Sequence, residues 1–481
     1  VYVKRATALG MNPTDGVNSA PGGDLMLREK SSASATEHNL TARFTAGAGD
    51  ASDPEVSYDG KKVVFAMRCP ASNTATVDGT PGGVKACTGR WNIWEYDMTN
   101  VAGGGLAGGS FRRITSTATD DDVDPVYLPA NRGIVFASNR QAKSSRNQAL
   151  GRAYFAADEY ERERVLNLHT MGPDGSNVQQ ITFNQSHDRN PVVRPNGDIM
   201  FSRWEHVADR NRFAIFRAKP DGTDLFVLYG AHSPGNSYLH PRDMDPRSTY
   251  KGQVLSSLMP LSGTQEGGSM HLIDAAGYSE FNTPASSSVP AAGGQVEITD
   301  NALTDGRALA LGGRATTPYP LWDGSDRVLV AWRPCTVMRN GVPALCTTLT
   351  DDERAMLADT NRTMAARAAD PVRDNAPAAY GIYMFDPAKK TWLVVASPPE
   401  GFMYTDPIAL QVRPEPNVVE PTTVDPVLQA QDMALIEVRS VYDTDGLQRM
   451  AEVMLTDADR AGCAQAIALT PPTDAADTRS R

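Results

Sequence analysis

The sequence has no apolar run that approaches the roughly 20 residues a membrane-spanning helix needs. It also lacks an excess of basic residues: there are 46 Lys and Arg and 57 Asp and Glu, so the net charge at pH 7 is −11. A phosphate backbone is bound by a basic surface, so nucleic acid is not an expected partner. A transmembrane span is not expected either.

The usual signatures of catalysis are missing as well. We find no G-x-S-x-G elbow, no glycine-rich phosphate loop, no H-E-x-x-H and no C-x-x-C-H haem-attachment motif. Asp120–Asp124 begins like a calcium loop, but Pro125 and Asn131 stand where that loop requires glycine and glutamate. No catalytic residue is therefore predicted, and the identity of any metal stays open.

Cysteine is scarce, with five residues in 481. Cys69 and Cys87 flank one insertion, and Cys335 and Cys346 flank another at the equivalent place of a later repeat. Pairs across loop bases predict two disulfides and an oxidising compartment. Neither pair has the C-x-x-C spacing of zinc sites. Cys463 has no partner within this chain.

A repeated hairpin is the main positive signal. Phe183–Glu205 contains two short apolar runs joined by a turn at Pro195–Gly197, which is the pattern of a β-hairpin. Such a hairpin cannot bury its own faces and must belong to a stacked repeat. We expect a proline at the first strand position of each copy, where no N–H donor is needed. The openings are Asp53-Pro54, Asp124-Pro125, Asn190-Pro191, His240-Pro241, Pro320 and Asp406-Pro407.

Each hairpin is followed by two further strand signals, and four antiparallel strands per repeat predict propeller blades. The last opening has no second strand after it, whereas residues 1–6, 24–29 and 38–41 read as a second, third and fourth strand. We therefore predict an all-β, six-bladed β-propeller over residues 1–420, closed where the N-terminal strands pair with the strand Asp406–Val412.

The predicted blades carry inserted loops and one inserted helix. The helix begins at the capping box Thr350–Glu353 and is expected to run to Ala369. Residues 421–481 are expected to form a C-terminal extension, the start of a further domain or a tail. It contains a strand at Ala434–Val441 and a short helix around Leu447–Leu455.

The openings of neighbouring blades lie on one face, so their polar residues are expected at the mouth of the central channel. His187 and His240, in adjacent blades, are predicted to converge on one ligand such as a metal or haem iron, and Arg242 beside them favours an anionic group. The alternative is that Asp or Asn before proline only caps a turn and that the histidines bond the loop backbone. The candidate ligand-binding residues are Asp53, Asp124, His187, Asp188, Asn190, His240, Arg242 and Asp406.

A family resemblance can be added. The motif D-P-x-x-S-x-D-G-K-x-x-V-F-x-x-R at 53–68, with P-D-G at 173–175 and 220–222, resembles the TolB-like (PD40-type) propeller repeat. Most of residues 1–446 resembles the propeller domain of hydrazine synthase alpha-subunit-like proteins. The stretches that carry this are VYVKRA (1–6), DGKKVVFAMR (59–68), ITFNQSHDRNP (181–191), MFSRWEH (200–206), PDGTDLFVLYG (220–230), SYLHPR (237–242) and IEVRSVYDTDG (436–446).

The resemblance implies a bacterial protein of the periplasm or cell surface, often lipid-anchored, with other protein subunits as partners. We expect a binding or assembly scaffold in a larger surface or redox complex, without catalytic activity or a cofactor of its own. The alternative is a subunit of a haem-dependent redox enzyme of the hydrazine synthase alpha type. Its haem would then be carried beyond Arg481 or by a partner.

Overall fold

Short β-strands make up most of the chain. A computed structural model describes residues 1–78, 83–101, 105–143, 156–158, 160, 162–207, 210–300, 303–306, 308–359, 363, 369–373, 376–422 and 425–431. The strands are β1 (Tyr2–Ala6), β2 (Asp24–Arg28), β3 (Glu37–Asn39), β4 (Asp50–Val56), β5 (Lys62–Arg68), β6 (Trp91–Asp97), β7 (Ser110–Arg113), β8 (Asp122–Leu128), β9 (Gly133–Ser138), β10 (Asn167–Met171), β11 (Gln179–Gln180), β12 (Asp188–Val193), β13 (Ile199–Val207), β14 (Arg210–Ala218), β15 (Phe226–Tyr229), β16 (Ser237–Asp243), β17 (Val254–Met259), β18 (Ser269–Ile273), β19 (Tyr278–Glu280), β20 (Thr283–Pro284), β21 (Gln295–Glu297), β22 (Arg314–Pro320), β23 (Val328–Arg333), β24 (Thr336–Arg339), β25 (Val342–Leu345), β26 (Val372–Arg373), β27 (Gly381–Asp386), β28 (Thr391–Ala396) and β29 (Phe402–Thr405). The α-helices are α1 (Ala42–Thr45), α2 (Asp351–Ala358) and α3 (Pro426–Ala430), and 3-10 turns cover Leu106–Gly108, Pro129–Asn131 and Cys346–Thr348.

Antiparallel sets of four strands repeat along the chain. In order from first to fourth strand they are sheet 1 (β4-β5-β6-β7), sheet 2 (β8-β9-β10-β11), sheet 3 (β12-β13-β14-β15), sheet 4 (β16-β17-β18-β21), sheet 5 (β22-β23-β27-β28) and sheet 6 (β29-β1-β2-β3). Between sheets 3 and 4 there is one parallel strand pairing, Phe213 with Ser237. The second strands, such as KVVFAMR of β5, are almost continuously apolar because neighbouring sheets cover both of their faces.

Sheet 6 joins the two ends of this part of the chain. β1 pairs antiparallel with β29, with Val3 opposite Thr405 and Ala6 opposite Phe402. The predicted pairing of residues 1–6 with a late strand is therefore present. Its partner strand is Phe402–Thr405 rather than Asp406–Val412, although Val1 and Ile408 also exchange backbone hydrogen bonds of 2.9 and 2.8 Å beyond Asp406-Pro407. Beyond this pair, residues 409–420 form no strand.

The prolines do not stand at the first strand positions. In sheets 1 to 5 each lies three or four residues inside the first strand, where the register shifts by a bulge. The residue before the proline has a positive φ: Asp53 53°, Asp124 52°, Asn190 51°, His240 52°, Thr317 46° and, after β29, Asp406 52°. A bulge removes a residue from the ladder, so proline is tolerated there without a missing hydrogen bond. The fifth opening was also misplaced, because the bulge is at Thr317-Pro318 and Pro320 only ends the strand.

The insertions follow the predictions in part. Disulfides join Cys69 to Cys87 and Cys335 to Cys346, and each lies between the second and third strands of its sheet. Helix α2 has the predicted capping box at Thr350 and Glu353, but it ends at Ala358 with Asp359 as its C-cap rather than running to Ala369.

The chain divides into two compact units, Val1–Pro421 and Thr422–Arg481. All six sheets belong to the first unit, and α3 belongs to the second. The predicted elements at 434–441 and 447–455, together with Cys463, lie outside the described residues. None of the described helices is long and apolar enough to cross a membrane.

Candidate functional site

The first strands of the six sheets surround one central cavity. Every pre-proline residue with positive φ contributes to its wall. The lining consists of Asp53, Pro54, Glu55, Asp124, Pro125, Asn190, Pro191, Val192, His240, Pro241, Arg242, Thr317, Pro318, Asp406, Pro407 and Ile408. The space open to the centre of a water molecule is about 50 Å³. At roughly 10–15 Å³ for each water, the cavity holds a few waters or one small ion.

Hydrogen bonds link the pre-proline residues from sheet to sheet. The N–H of Asp124 donates to Asp53 Oδ2 at 3.4 Å, and the N–H of Asn190 donates to Asp124 Oδ2 at 3.0 Å. In the same way His240 N–H donates to Asn190 Oδ1 at 3.3 Å, and Asp406 N–H donates to Thr317 Oγ1 at 3.1 Å. At four of the six positions a short side chain thus supplies an oxygen acceptor to the next sheet in the series.

These hydrogen bonds between sheets offset part of the free-energy cost of the left-handed backbone. A left-handed conformation costs roughly 1–2 kcal/mol for a residue with a Cβ, and more for a β-branched residue such as Thr317. A hydrogen bond returns roughly 1 kcal/mol, which offsets much of that cost. The sequence alternative was that Asp or Asn before proline caps a turn, but Asp53, Asp124 and Asn190 accept from a distant backbone N–H. The bond partner is the next sheet rather than the residue's own turn.

Two of the six residues differ: Asp406 Oδ2 accepts from its own neighbour Thr405 Oγ1 at 2.7 Å, and His240 contacts a carboxylate. Its Nε2 lies 3.2 Å from Oε1 of Glu266, and that carboxylate is also 4.0 Å from Arg189 Nη1. Burial alone would raise the pKa of Glu266, but Arg189 and His240 outweigh it and lower the pKa to about 2. His240 therefore contacts an ionised carboxylate outside the ring of pre-proline residues.

The carboxylates in the cavity are crowded. Burial and the neighbouring Asp53 raise the pKa of Asp124 well above its ordinary value, and the same two causes raise the pKa of Asp406 to about 6. Arg189 and Arg5 act on these carboxylates in the opposite direction. The cavity is thus a place where like charges are held close together.

One mouth of the channel is covered by the loop 7–23, here called the N-terminal loop. Arg189 donates to the carbonyl oxygens of Pro13 at 3.3 Å and Asp15 at 3.4 Å. Gly16 N–H donates to Glu163 Oε1 at 2.7 Å. Loop residues from Leu9 to Asn18 line a small cavity together with Asp53, Asp124 and Arg189. The loop therefore lies over the strand residues that precede the prolines.

The opposite mouth is crossed by residues 408–420, here called the strap. Its backbone bonds successive hairpin turns: Arg413 N–H donates to Tyr58 O at 3.0 Å, and Asn417 N–H donates to Pro195 O at 3.0 Å. Ala130 N–H donates to Glu415 Oε1 at 2.6 Å. Gly197 is needed here, since a Cβ would lie 2.4 Å from Asn417 O. The strap ties sheets 1, 2 and 3 together on the side that follows the prolines.

The predicted site residues are only partly brought together. Asp53, Asp124, Asn190, His240, Arg242 and Asp406 all line the central cavity, whereas His187 and Asp188 are absent from its lining. Asp188 is buried and receives two hydrogen bonds from Arg203, at 2.8 and 2.9 Å.

His187 is fully buried against Trp204, with ring centroids 5.6 Å apart. Its Nδ1 accepts from Leu166 N–H at 3.1 Å, and its Nε2 lies 3.7 Å from Glu163 Oε1. His187 and His240 therefore have different carboxylate neighbours, and the structure does not place both in one cavity. Within the described ranges, no group of three or more His, Cys, Asp and Glu side chains has the geometry to hold a metal ion.

The acidic run at 120–124 is engaged by protein groups. Asp120 pairs with Arg164 at 2.8 Å, Asp121 accepts from Trp91 N–H at 3.1 Å, and Asp122 pairs with Arg140. These carboxylates bind protein groups and hold loops in place. This agrees with the sequence, which lacks the glycine and the glutamate that a calcium loop requires.

Sequence reasoning missed Glu55, the anion to which Arg242 binds. Glu55 is buried and receives hydrogen bonds from Arg242 Nη1 and, at 2.5 Å, from Arg413 Nη2 of the strap. Burial alone would raise the pKa of Glu55, but the two guanidinium groups outweigh it and lower the pKa. The sequence signal that could have identified Glu55 is its charge at a position two residues after Asp53, the bulge residue of sheet 1.

Comparison with known proteins supports the fold. No protein-family model matches this chain, and no curated protein matches its sequence. Its structure is similar to a chain of the Kuenenia stuttgartiensis hydrazine synthase, with a TM-score of 0.54 and 16% identity over 87% of this chain and 47% of that one. This chain thus spans about half the length of that relative. Weaker similarities are to a chain of a nidogen/laminin complex (TM-score 0.41, 8% identity, 84% of this chain and 96% of that one) and to TolB of Acinetobacter baumannii (TM-score 0.27, 13% identity, 57% and 61%). The predicted β-propeller resemblance to hydrazine synthase is confirmed at the level of the fold.

Proposed function

We propose that this chain is a β-propeller scaffold that binds partner proteins outside the cytoplasm and has no catalytic activity of its own. One observation carries the proposal: both mouths of the channel are covered by the chain itself, and its polar groups are used to join the sheets. The N-terminal loop covers one end and the strap covers the other. An enzyme that used the channel would need an open mouth and an unengaged catalytic group.

The proposal includes a ring of six blades. Six four-stranded sets, six pre-proline residues around one cavity and the β1–β29 pair support it. A closed ring leaves only short, protected strand edges, which suits a rigid platform for other proteins. The two disulfides support an oxidising compartment, because such bonds are rare in the reducing cytosol.

The second candidate is a subunit of a haem-dependent redox enzyme, favoured by the shared fold with part of a hydrazine synthase chain. The central cavity and the two predicted histidines do not fit a haem. The central cavity has room for only a few waters, His187 Nδ1 already accepts a backbone hydrogen bond, and His240 contacts Glu266. In this alternative the haem is carried elsewhere, and the propeller positions it.

An experiment on the full-length protein separates the two candidates. The protein is tagged in its native host, cross-linked in intact cells and purified, with a tagged unrelated propeller of the same compartment as the control. We expect a recurrent partner whose cross-links map to one face, and a stable complex when the purified partner is added back. An absorption spectrum is recorded on the same sample. A Soret band would overturn the cofactor-free scaffold in favour of the second candidate, and a lone monomer without specific cross-links would overturn both.

A further inference from the structure

The fourth strands form the outer edges of the six sheets, and β28 of sheet 5 differs from the other five. It has six residues, TWLVVA, and none of them is charged, whereas β3, β7, β11, β15 and β21 have two to four residues each. Proteins usually protect a sheet edge by a short strand, a charge or a covering segment. β7 carries two arginines, and β3 and β21 each carry a glutamate. β15 is uncharged but shorter, and Gly230 directly after it donates its N–H to Ser279 O at 3.2 Å. The edge of sheet 5 is therefore the least protected of the six.

The outer side of β28 offers backbone groups to another strand. Thr391–Val394 pair with β27 in a regular antiparallel register, with Thr391 opposite Asp386 and Val394 opposite Tyr383, and the register shifts only beyond Val394. In an antiparallel strand, alternate residues direct both N–H and C=O away from the paired neighbour. Within the described ranges, the backbone of Thr391–Val394 makes no hydrogen bond outside its ladder with β27. About half of these backbone groups therefore face outward without a partner strand.

Both faces of β28 also expose apolar side chains. Leu393 is 59% exposed on one face, and Val394 is 36% exposed on the other. Trp392 shares the face of Val394, and its ring centroid lies 5.6 Å from that of Trp332 and 6.3 Å from that of Tyr383. All three rings are only partly buried. Trp and Tyr are enriched among the residues that contribute most to binding at protein interfaces, so this face has the composition of a binding surface.

We propose that β28 binds an extended, uncharged segment of a partner protein, which adds a fifth strand to sheet 5 antiparallel to β28. The conformation of this segment follows from the outward backbone groups, because an extended chain presents donors and acceptors at the same two-residue spacing. The antiparallel direction continues that of the other strands in sheet 5.

The composition of the segment follows from the side chains of β28. A charged residue opposite Leu393 or Val394 would lose water without gaining a counter-ion, which is unfavourable. Alternate apolar residues of the segment would instead pack on Trp392 and Val394, as cross-strand pairs do within a sheet. The inference rests on the proposed scaffold function and names the surface that the scaffold uses.

The test selects peptides from a phage-displayed library of random linear sequences on the full-length protein. We expect the enriched peptides to be uncharged and rich in β-branched and aromatic residues over a stretch of about four, and to protect amides of β28 from hydrogen exchange. Each peptide is then synthesised with a methyl group on one backbone nitrogen at a time. Binding should weaken about tenfold at every second residue and change little at the residues between, because only alternate N–H groups face β28. Enrichment of no peptide that protects β28 would overturn the site, and a loss without this alternation would overturn strand addition.

Variants of the full-length protein test the residues. Leu393→Lys and Leu393→Glu place a charge of either sign on the edge, and we expect both to weaken peptide binding at least about tenfold. Val342→Lys is the matched control with unchanged affinity, since Val342 is 63% exposed on another edge strand, β25, where Pro343 removes a donor. Thermal melting checks that each variant is folded. Tighter binding with one sign of charge, or an equal loss in Val342→Lys, would refute the assignment.

Two further results identify other occupants. If the wild type alone sediments as a dimer that Leu393→Lys dissociates, the occupant is a second copy of this chain and the partner segment is refuted. If the cross-links to a recurrent partner map away from β28, this assignment is overturned while the scaffold role stands. The failure of the inference is therefore distinguishable from the failure of the proposed function.

Discussion

Replacing Asp406 by asparagine is expected to stabilise the folded chain at neutral pH. Asp406 lies in the central cavity, where burial and the neighbouring Asp53 raise its pKa from 3.8 to about 6. The folded state therefore holds this proton more tightly than the unfolded state does. The stability that comes from the bound proton is complete below pH 3.8 and is lost as the pH rises to about 6.

The size of the effect follows from that difference. At 1.36 kcal/mol for each pK unit, a pKa raised from 3.8 to about 6 corresponds to about 3 kcal/mol lost at neutral pH. Asparagine does not titrate and avoids this loss. It also tolerates positive φ, and its amide oxygen can accept the hydrogen bond that Thr405 Oγ1 donates to Asp406 Oδ2 at 2.7 Å.

The assay is urea unfolding of the wild type and Asp406→Asn between about pH 3.5 and pH 8. The free-energy difference between them should be near zero at the acidic end and grow to about 3 kcal/mol at the neutral end. Asp352→Asn, at an exposed site, makes the same charge change and should stay within about 1 kcal/mol throughout. The reasoning is refuted if Asp406→Asn unfolds more easily at neutral pH, or if its gain does not depend on pH.

Three further outcomes are expected. Deleting residues 1–30 removes two strands of sheet 6, β1 and β2, and should lower the melting temperature of the whole first unit; an unchanged thermal transition would contradict the ring closure. Mass spectrometry of a non-reduced digest should recover Cys69–Cys87 and Cys335–Cys346, each worth roughly 3 kcal/mol, whereas free thiols would contradict the oxidising compartment. Asn190→Ala should destabilise by about 1–2 kcal/mol in a thermal or urea melt, and Asn190→Gly by less because glycine adopts the positive φ freely; equal stability of all three would remove the role of the hydrogen bond to the next sheet.

The strands and disulfides could be predicted because their signals are local. An apolar run such as KVVFAMR, bounded by turn residues, indicates a buried strand wherever it stands. The pairing of β1 with a late strand was also accessible, since a repeat that lacks its second strand must find one elsewhere. Cysteines at equivalent points of two repeats indicated the bonds in the same way.

The site could not be predicted to the same extent, because its contacts join residues far apart in sequence. A proline in a repeat shows that a donor is missing, but not that the preceding residue has a positive φ inside a strand, and Thr317 gives no hint of it. The strap has no periodicity, and the bond from Asn417 to Pro195 has no local signal. His187 was placed near the channel by its distance from a proline, whereas its environment is set by Glu163 in an insertion.

The pairing of β1 with β29 can form only late in synthesis, because β29 is near the end of the first unit. At about 5–20 residues per second, the roughly 400 residues between Ala6 and Phe402 take about 20 to 80 s to synthesise. Until then β1 has one edge without its partner, and an unpaired edge is a template for other chains. The stage at which this protein most needs protection from aggregation is therefore the interval before β29 has been synthesised, rather than the folded state.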